Sequence, residues 1–301
     1  MSKPETPELT GRKPLGRVGS LATFPKETNM SQQSSVAAWQ LDGNSAGAYE
    51  EYLVGRIFRR WAQRLVAHAN ARSGERVLDA GCGTGIVART AAGHVVPGGE
   101  VVGLDLNDDM IAEARRRDTG GSVTWRTGDV EDLPFSDGSF DLVLIEQVLQ
   151  FTANREKALA EALRVLAPGG RLVFSLFREL EFNRSYAALA DALDRHVGPE
   201  AGSMMRSPFA GPHADVIRNE LETTGFANVT IHHDILDVRY PNSAEYLREE
   251  AASSPLAGPL GKLDDERIAA LITELDSVLA PFTDDEGVTF PMETFVVIAY
   301  R

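Results

Sequence analysis

The chain has 301 residues, 43% hydrophobic and 25% charged, and its 44 acidic against 30 basic residues leave a net charge of −14. That composition is globular, long enough to bury about three quarters of the unfolded surface without staples, and lacks the overall basic balance that nucleic-acid partners call for. One cysteine, Cys82, excludes a disulfide framework, a thiolate zinc site and a multi-cysteine cluster within the chain. No apolar run approaches the roughly 18 residues of a membrane span. No signal pattern opens the chain, and Glu5, Glu8 and Glu27 ill suit an acid-poor transit peptide, so a cytoplasmic protein is expected.

Residues 1–38, with Pro4, Pro7, Pro14 and Pro25 and no sustained period, read as a disordered or partner-ordered tail. Five basic and three acidic residues in the first 30 give +2 there and −16 on the remainder. Order is expected from Trp39, with a cap helix inside 39–70 started by Ser45 and carrying Tyr49, Tyr52, Leu53, Ile57, Phe58, Trp61 and Leu65 on one face. Strand and helix then alternate. Strands are expected at 76–80, 100–105, 122–127, 140–145 and 171–177, and helices at 86–92, at 108–117 behind an Asn107 cap, and from Asn154 to a stop at Pro168–Gly169–Gly170. Such alternation means a mostly parallel sheet covered on both faces. The pattern loosens into a helical insertion over 178–212, returns to core over 213–238, departs again over 239–290 and closes with a core strand inside 291–301. One α/β domain with a discontinuous helical lid is expected, its final strands capable of antiparallel pairing.

The densest signal is Val77–Leu78–Asp79–Ala80–Gly81–Cys82–Gly83–Thr84–Gly85, between a strand and a helix. Closely spaced glycines let a ligand approach backbone, and a helix start offers unpaired N–H groups. Asp105, twenty residues past Gly85 at the end of the next strand, is placed for ribose hydroxyls. A dinucleotide fingerprint needs glycines at its first, third and sixth positions, whereas here they fall at 81, 83 and 85, with Ile86 in the sixth place. Asp79, ahead of the first glycine, suits an ammonium group better than a pyrophosphate. An adenosine cofactor with an amino-acid end fits, and a nicotinamide dehydrogenase does not.

With Gly128–Asp129–Val130–Glu131–Asp132–Leu133–Pro134–Phe135, Ser139–Phe140–Asp141 and Arg164–Val165–Leu166–Ala167–Pro168–Gly169–Gly170–Arg171–Leu172, these motifs resemble the class I S-adenosylmethionine-dependent methyltransferases, in the ubiquinone-biosynthesis-type branch that acts on small molecules. Glu146–Gln147–Val148–Leu149–Gln150–Phe151 resembles a subgroup with two glutamines and an aromatic after the fourth strand. Arg195–His196–Val197–Gly198–Pro199–Glu200–Ala201 and Met205–Arg206–Ser207–Pro208–Phe209 resemble its lid. The resemblance covers roughly residues 45–300. It implies a Rossmann-like sheet of seven mostly parallel strands, the cofactor S-adenosyl-L-methionine and the product S-adenosyl-L-homocysteine. It further implies that Gly81, Gly83 and Gly85 hold the methionine part, Asp79 and the Glu146 carbonyl its ammonium, and Asp105 the ribose. Leu106 and Met110 would flank the adenine, with Asp129 and the Val130 N–H on its edge. Glu146 replaces a usually neutral residue.

Methyl transfer from a sulfonium needs alignment and exclusion of water more than a catalytic triad, and a base only when the acceptor is a hydroxyl or an acidic carbon. His196, Glu146 and Gln150 are the catalytic candidates, against a lid-structural reading of His196 and a polar-lining reading of the other two. Tyr49, Tyr52, Gln147, Phe151, Met204, Arg206 and Phe209 are candidates for binding a small-molecule acceptor, a secondary metabolite, against plain packing for the aromatic and methionine side chains. Cys82 reads as packing, and no metal site is expected. A nucleic-acid enzyme would need the Asn/Asp-Pro-Pro-Tyr/Phe motif, which is absent. A methyltransferase-like scaffold using the cofactor for cyclisation or binding stays open, as does a homo-oligomer exchanging its N-terminal segment.

Overall fold

The computed structural model describes residues 43–301; the tail reading and the expected start at Trp39 lie outside them. The chain enters through a helical rod: α1 (Gly43–Tyr49), a π-helical stretch (Glu50–Phe58) and α2 (Arg59–Ala69). The helix is already running at Gly43, so Ser45 lies inside it rather than capping it. The wider π turns, closed by an Arg59 N–H bond to the Val54 carbonyl five residues back, break the single stripe expected from the sequence. Leu53, Ile57, Trp61 and Leu65 are buried, whereas Tyr52 turns outward under the Arg248 guanidinium, 5.0 Å from its ring centroid.

The core alternates as expected: β1 (Arg76–Ala80), α3 (Ile86–Val95), β2 (Glu100–Asp105), α4 (Asp108–Arg117), β3 (Thr124–Thr127), β4 (Phe140–Glu146), α5 (Arg155–Val165) and β5 (Leu166–Phe177). Asn107 and Asn154 cap α4 and α5, accepting from Asp109 and Met110 N–H groups and from Lys157 N–H. After β5 come α6 (Arg184–His196), α7 (Pro199–Arg206), α8 (Ala214–Thr224) and β6 (Ala227–Tyr240). The second insertion holds α9 (Ser243–Ala252), α10 (Ala257–Leu260) and α11 (Asp265–Leu279), then the two-residue β7 (Thr283–Asp284) and β8 (Gly287–Tyr300).

The sheet runs β3-β2-β1-β4-β5-β8-β6, with β7 attached to β8 as a short eighth strand. Strands β1 to β5 are parallel and β8 is antiparallel to both β5 and β6. Strand order reverses between β1 and β4, which opens a crevice above their carboxyl ends. The core strands reach further into the second insertion than 239–290 allowed, because inward alternation continues through Leu236, Val238 and Tyr240 on β6 and Val288, Phe290 and Met292 on β8. Both insertions and the entry rod bury their apolar faces in one cluster, including Leu53, Trp61, Phe177, Tyr186, Phe209, Tyr246 and Leu275. Arg171 fastens the rod to the sheet by donating to the Ala69 carbonyl at 2.6 Å and pairing with Glu75 at 2.8 Å.

Inside that cluster Glu250 is buried, accepting from the Tyr186 and Tyr240 hydroxyls at 2.9 Å each. Burial pushes its carboxyl up to about 7, helped by Glu249 and opposed by the two tyrosine bonds. The folded protein therefore holds a proton there that the unfolded chain releases near its ordinary value, so the contribution is full at low pH and lost as pH rises toward 7. Denaturant unfolding of wild type and Glu250→Gln should show the variant gaining relative stability from pH 5 to 7, by up to about 1.4 kcal/mol per pH unit. A pH-independent difference between the two proteins contradicts this.

Candidate functional site

The crevice is built by the ends of four parallel strands. After β1 the chain turns through Gly81, Gly83 and Gly85, all at positive φ. A Cβ on Gly81 would lie 2.5 Å from Val148 Cγ2, and one on Gly85 would lie 2.2 Å from the Trp125 ring, so neither place admits a side chain. Asp105, ending β2, accepts the Gly83 N–H at 2.8 Å through Oδ2 and the Asn107 N–H at 2.9 Å through Oδ1. It ties the loop to the neighbouring strand while each oxygen keeps a lone pair for a ligand hydroxyl. Burial raises its pKa against those backbone bonds.

Asp79 is buried on β1, its Oδ2 taking the Ala88 N–H at 2.8 Å and its Oδ1 without a partner. Burial, with Asp105 adding, pushes it up to about 7. Glu146, ending β4, also has a buried Oε1 without a partner, and burial followed by the charge of Asp79 raises its pKa well above the usual range. Tyr49 is half-buried over the loop, its Cε1 4.0 Å from where a Gly83 Cβ would stand. Burial raises its hydroxyl pKa, with Glu146, Asp105 and Glu50 adding in that order, which places all three carboxyls around it. Ala46, Met110 and Tyr49 pack together, whereas Leu106 is 52% exposed, an apolar surface open beside Asp105. Asp129 caps its own turn through the Glu131 N–H at 2.8 Å, with Val130 half-buried beside it.

The latch between rod and loop was invisible to sequence reasoning. Glu50 is buried in the π-helical stretch, accepts from the Thr84 hydroxyl and pairs with Arg89 at 3.2 Å. Arg89 also donates to the Thr84 carbonyl. No motif marks this contact, which is long-range and depends on the π-helical register.

The acceptor candidates divide. Tyr49 stacks on Phe58 (5.5 Å between centroids), Phe58 meets Phe177 (6.4 Å) and Phe177 meets Phe209 (5.2 Å), so an aromatic wall runs from the glycine loop into the lid. Phe58 was read from the sequence only as part of a helical face and Phe177 only as a strand end, and neither was an acceptor candidate. Phe151 is half-buried in the turn after β4, its N–H bonded to the Val148 carbonyl at 2.8 Å. Gln147 is no lining group: it is buried and spends its amide on Ser175, Thr294, Phe177 N–H and Gln150. Arg206 clamps Asp191 (2.6 Å) and Asp194 (2.7 Å) of the preceding lid helix, and Met204 packs on the lid core. Tyr52 faces Arg248, and His196 pairs with Glu274 at 2.7 Å across two lid helices. These four are bound up in lid and rod contacts, because surface charge and helix ends of the lid supply them with nearer partners. Gln150 keeps a buried Oε1 with no partner. Cys82 is buried packing, its thiol pKa raised chiefly by burial. Among the described residues no group of His, Cys, Asp or Glu could hold a metal ion.

This geometry fits S-adenosylmethionine. Gly83, with nothing nearer than Tyr49 at 4.0 Å from an added Cβ, leaves it open backbone, the orphaned Asp79 oxygen suits its ammonium, Asp105 keeps lone pairs for ribose hydroxyls, and Leu106 offers an apolar face to adenine.

Comparison with known proteins agrees. Residues 78–174 match the methyltransferase domain family. The ubiquinone/menaquinone biosynthesis C-methyltransferase UbiE of Stutzerimonas stutzeri is 32% identical over 198 residues, 61% of this chain and 77% of that protein. An uncharacterized protein in transposon TN4556 of Streptomyces fradiae is 44% identical over 138 residues, 42% of this chain; the chain spans 40% of its length. Among solved structures, the YcgJ protein of Bacillus subtilis has a TM-score of 0.56 at 19% identity, covering 80% of this chain and 98% of that one. Phosphoethanolamine N-methyltransferase 2 of Haemonchus contortus, solved with phosphomonomethylethanolamine and S-adenosylhomocysteine, also scores 0.56, at 20% identity over 87% of this chain and 58% of its own. These two likenesses concern the fold alone. The glycine loop, the carboxylates at the strand ends and the UbiE kinship together make this chain a member of the class I S-adenosylmethionine-dependent methyltransferases.

Proposed function

We propose that this methyltransferase acts on a small, partly apolar acceptor, a secondary metabolite. The observation carrying the reading is enclosure: Tyr49 and Glu50 cover the glycine loop, and Phe58, Phe177 and Phe209 wall the way from it into the lid. A macromolecular acceptor needs an open approach, and the net charge of −14 opposes nucleic acid. Kinship with C-methyltransferases of quinone biosynthesis supports an apolar acceptor.

When bound, S-adenosylmethionine supplies a methyl group already activated on a sulfonium. The residues that would hold it are Gly81, Gly83 and Gly85, Asp79 and the Glu146 carbonyl at its amino-acid end, Asp105 at the ribose, and Leu106, Met110, Asp129 and Val130 at the adenine. Tyr49 and the rod exclude water, which is worth most in an alignment-driven reaction. Of the catalytic candidates, Glu146 rather than His196 takes the acceptor's proton, once the cofactor's positive charge beside it has drawn off the proton that burial holds there, since its carboxyl is buried in the crevice and His196 is held by Glu274. Gln150 lines the acceptor side with Phe151. The reading sets the reaction in the cytoplasm and includes a homo-oligomer formed through the N-terminal segment.

Methyl-labelled S-adenosylmethionine, incubated with the protein and separated fractions of a cell extract, should label the small-molecule fraction. Label in RNA or protein overturns the proposed acceptor, and label in no fraction favours a scaffold that only binds the cofactor. Asp105→Ala, which loses both the ribose partner and the Gly83 tether, should weaken S-adenosylhomocysteine binding in calorimetry by at least about tenfold; an unchanged Kd removes Asp105 from the site.

The raised pKa of Asp79 has its own consequence. Below about pH 7 the empty site holds a proton on Asp79 that must leave before the carboxylate can pair with a ligand ammonium. Affinity for S-adenosylhomocysteine should therefore fall as pH drops from 8 to 6, by up to about tenfold per unit below the pKa. In Asp79→Asn the dependence should flatten, and an equally steep profile in the variant shows that another group is responsible.

A further inference from the structure

We propose that Gln150 selects the acceptor: the group that is methylated is a hydrogen-bond donor, a neutral hydroxyl or amine carried on an aromatic body, rather than an ether or an anion. This rests on the methyltransferase reading above and goes beyond it by naming the acceptor class.

The argument begins at a donor whose identity is fixed. The backbone N–H of Phe177 donates to the Gln147 side chain at 2.9 Å, so an oxygen, Oε1, stands there. The other end of that amide, Nε2, donates to the hydroxyls of Thr294 at 2.9 Å and Ser175 at 3.3 Å. Gln150 approaches the same Gln147 Oε1 at 3.2 Å, and only the NH2 end of an amide can donate to an oxygen, so Gln150 makes this contact through Nε2. Side-chain amide orientation is otherwise a matter of assignment. Here one backbone N–H settles two amides in series. The end of Gln150 left over is its carbonyl oxygen, which is buried and has no partner.

Gln147 holds this relay from a left-handed backbone position, φ 53°, directly after Glu146. The Glu146 Oε1 is likewise buried and unpartnered. Two bare oxygens therefore stand at the end of β4 and in the turn after it, where the reading above puts the acceptor. An anionic acceptor or an ether has no hydrogen to give and would leave the buried Gln150 oxygen unsatisfied. A neutral hydroxyl or amine has the hydrogen that satisfies Gln150. The aromatic body follows from the wall of Tyr49, Phe58, Phe177 and Phe209, since Phe177 both starts the relay and belongs to the wall.

Three probes with one aromatic body separate the cases: 2-naphthol, 2-methoxynaphthalene and 2-naphthoate, titrated calorimetrically into the full chain loaded with S-adenosylhomocysteine. We expect 2-naphthol to bind about tenfold more tightly than either of the others, the scale at which a hydrogen-bonding site rejects an analogue lacking the donor. Gln150→Leu should lose that preference while binding S-adenosylhomocysteine as wild type does; Gln150→Met, closer in length, serves if the leucine variant fails to hold it. The proposal is overturned by equal binding of the ether or the naphthoate, by no saturable binding of 2-naphthol, or by a preference that survives the substitution. Each of those leaves the methyltransferase assignment in place. Failure of the wild type to bind S-adenosylhomocysteine overturns the assignment instead.

Discussion

Four carboxyl groups, those of Glu50, Asp79, Asp105 and Glu146, are gathered at the carboxyl ends of three neighbouring strands and under one helical rod, and among the described residues Arg89 on Glu50 is the one ion pair they receive. Burying several carboxyls with so little compensation is unfavourable for the empty fold, and the raised pKa values of Asp79, Asp105 and Glu146 are its visible consequence. The fold tolerates this because the strands beneath are apolar on both faces and fixed by the sheet, so the carboxyls cannot retreat to water. A cationic ligand relieves the imbalance. The chemistry of the family and the electrostatics of the empty crevice thus express the same constraint.

The rod matters for the same reason. Without Tyr49 and Glu50 the crevice would be an open notch, and water would screen the charges that favour a cation. The π-helical stretch places Tyr49 over Gly83 and Glu50 against Thr84 while burying Leu53, Val54 and Ile57 in the shared core. The lid extends the enclosure, because β6 and β8 run past the sheet proper and carry Tyr240 and Phe290 into the cluster that holds the rod. Rod, both insertions and strand ends are thereby one packing unit around the crevice.

Much of this was legible in the sequence, for identifiable reasons. Hydrophobic alternation and turn residues located every parallel strand, and Asn107 and Asn154 marked their helices because capping is a local interaction. The glycine loop and Asp105 were legible because close backbone approach and a strand-end carboxylate leave marks at fixed spacing. The rod's register was not, since α- and π-helices share propensities and the difference is decided by what the rod packs on. The lid residues were the hardest. Arg206 and His196 looked like site groups because arginine and histidine carry chemistry, yet Asp191, Asp194 and Glu274 claim them through contacts that no local pattern announces.

Gln147 and Gln150 show how such contacts change a residue's meaning. In the sequence they are two similar polar residues three apart, equally suited to a ligand. In the fold the Phe177 N–H engages the first, the first orients the second, and only the second keeps an unspent oxygen. The division follows from the strand order: β5 lies beside β4, so the N–H at its last residue reaches the turn leaving β4. A topology that opens the crevice for the cofactor therefore also sets which amide keeps a free oxygen.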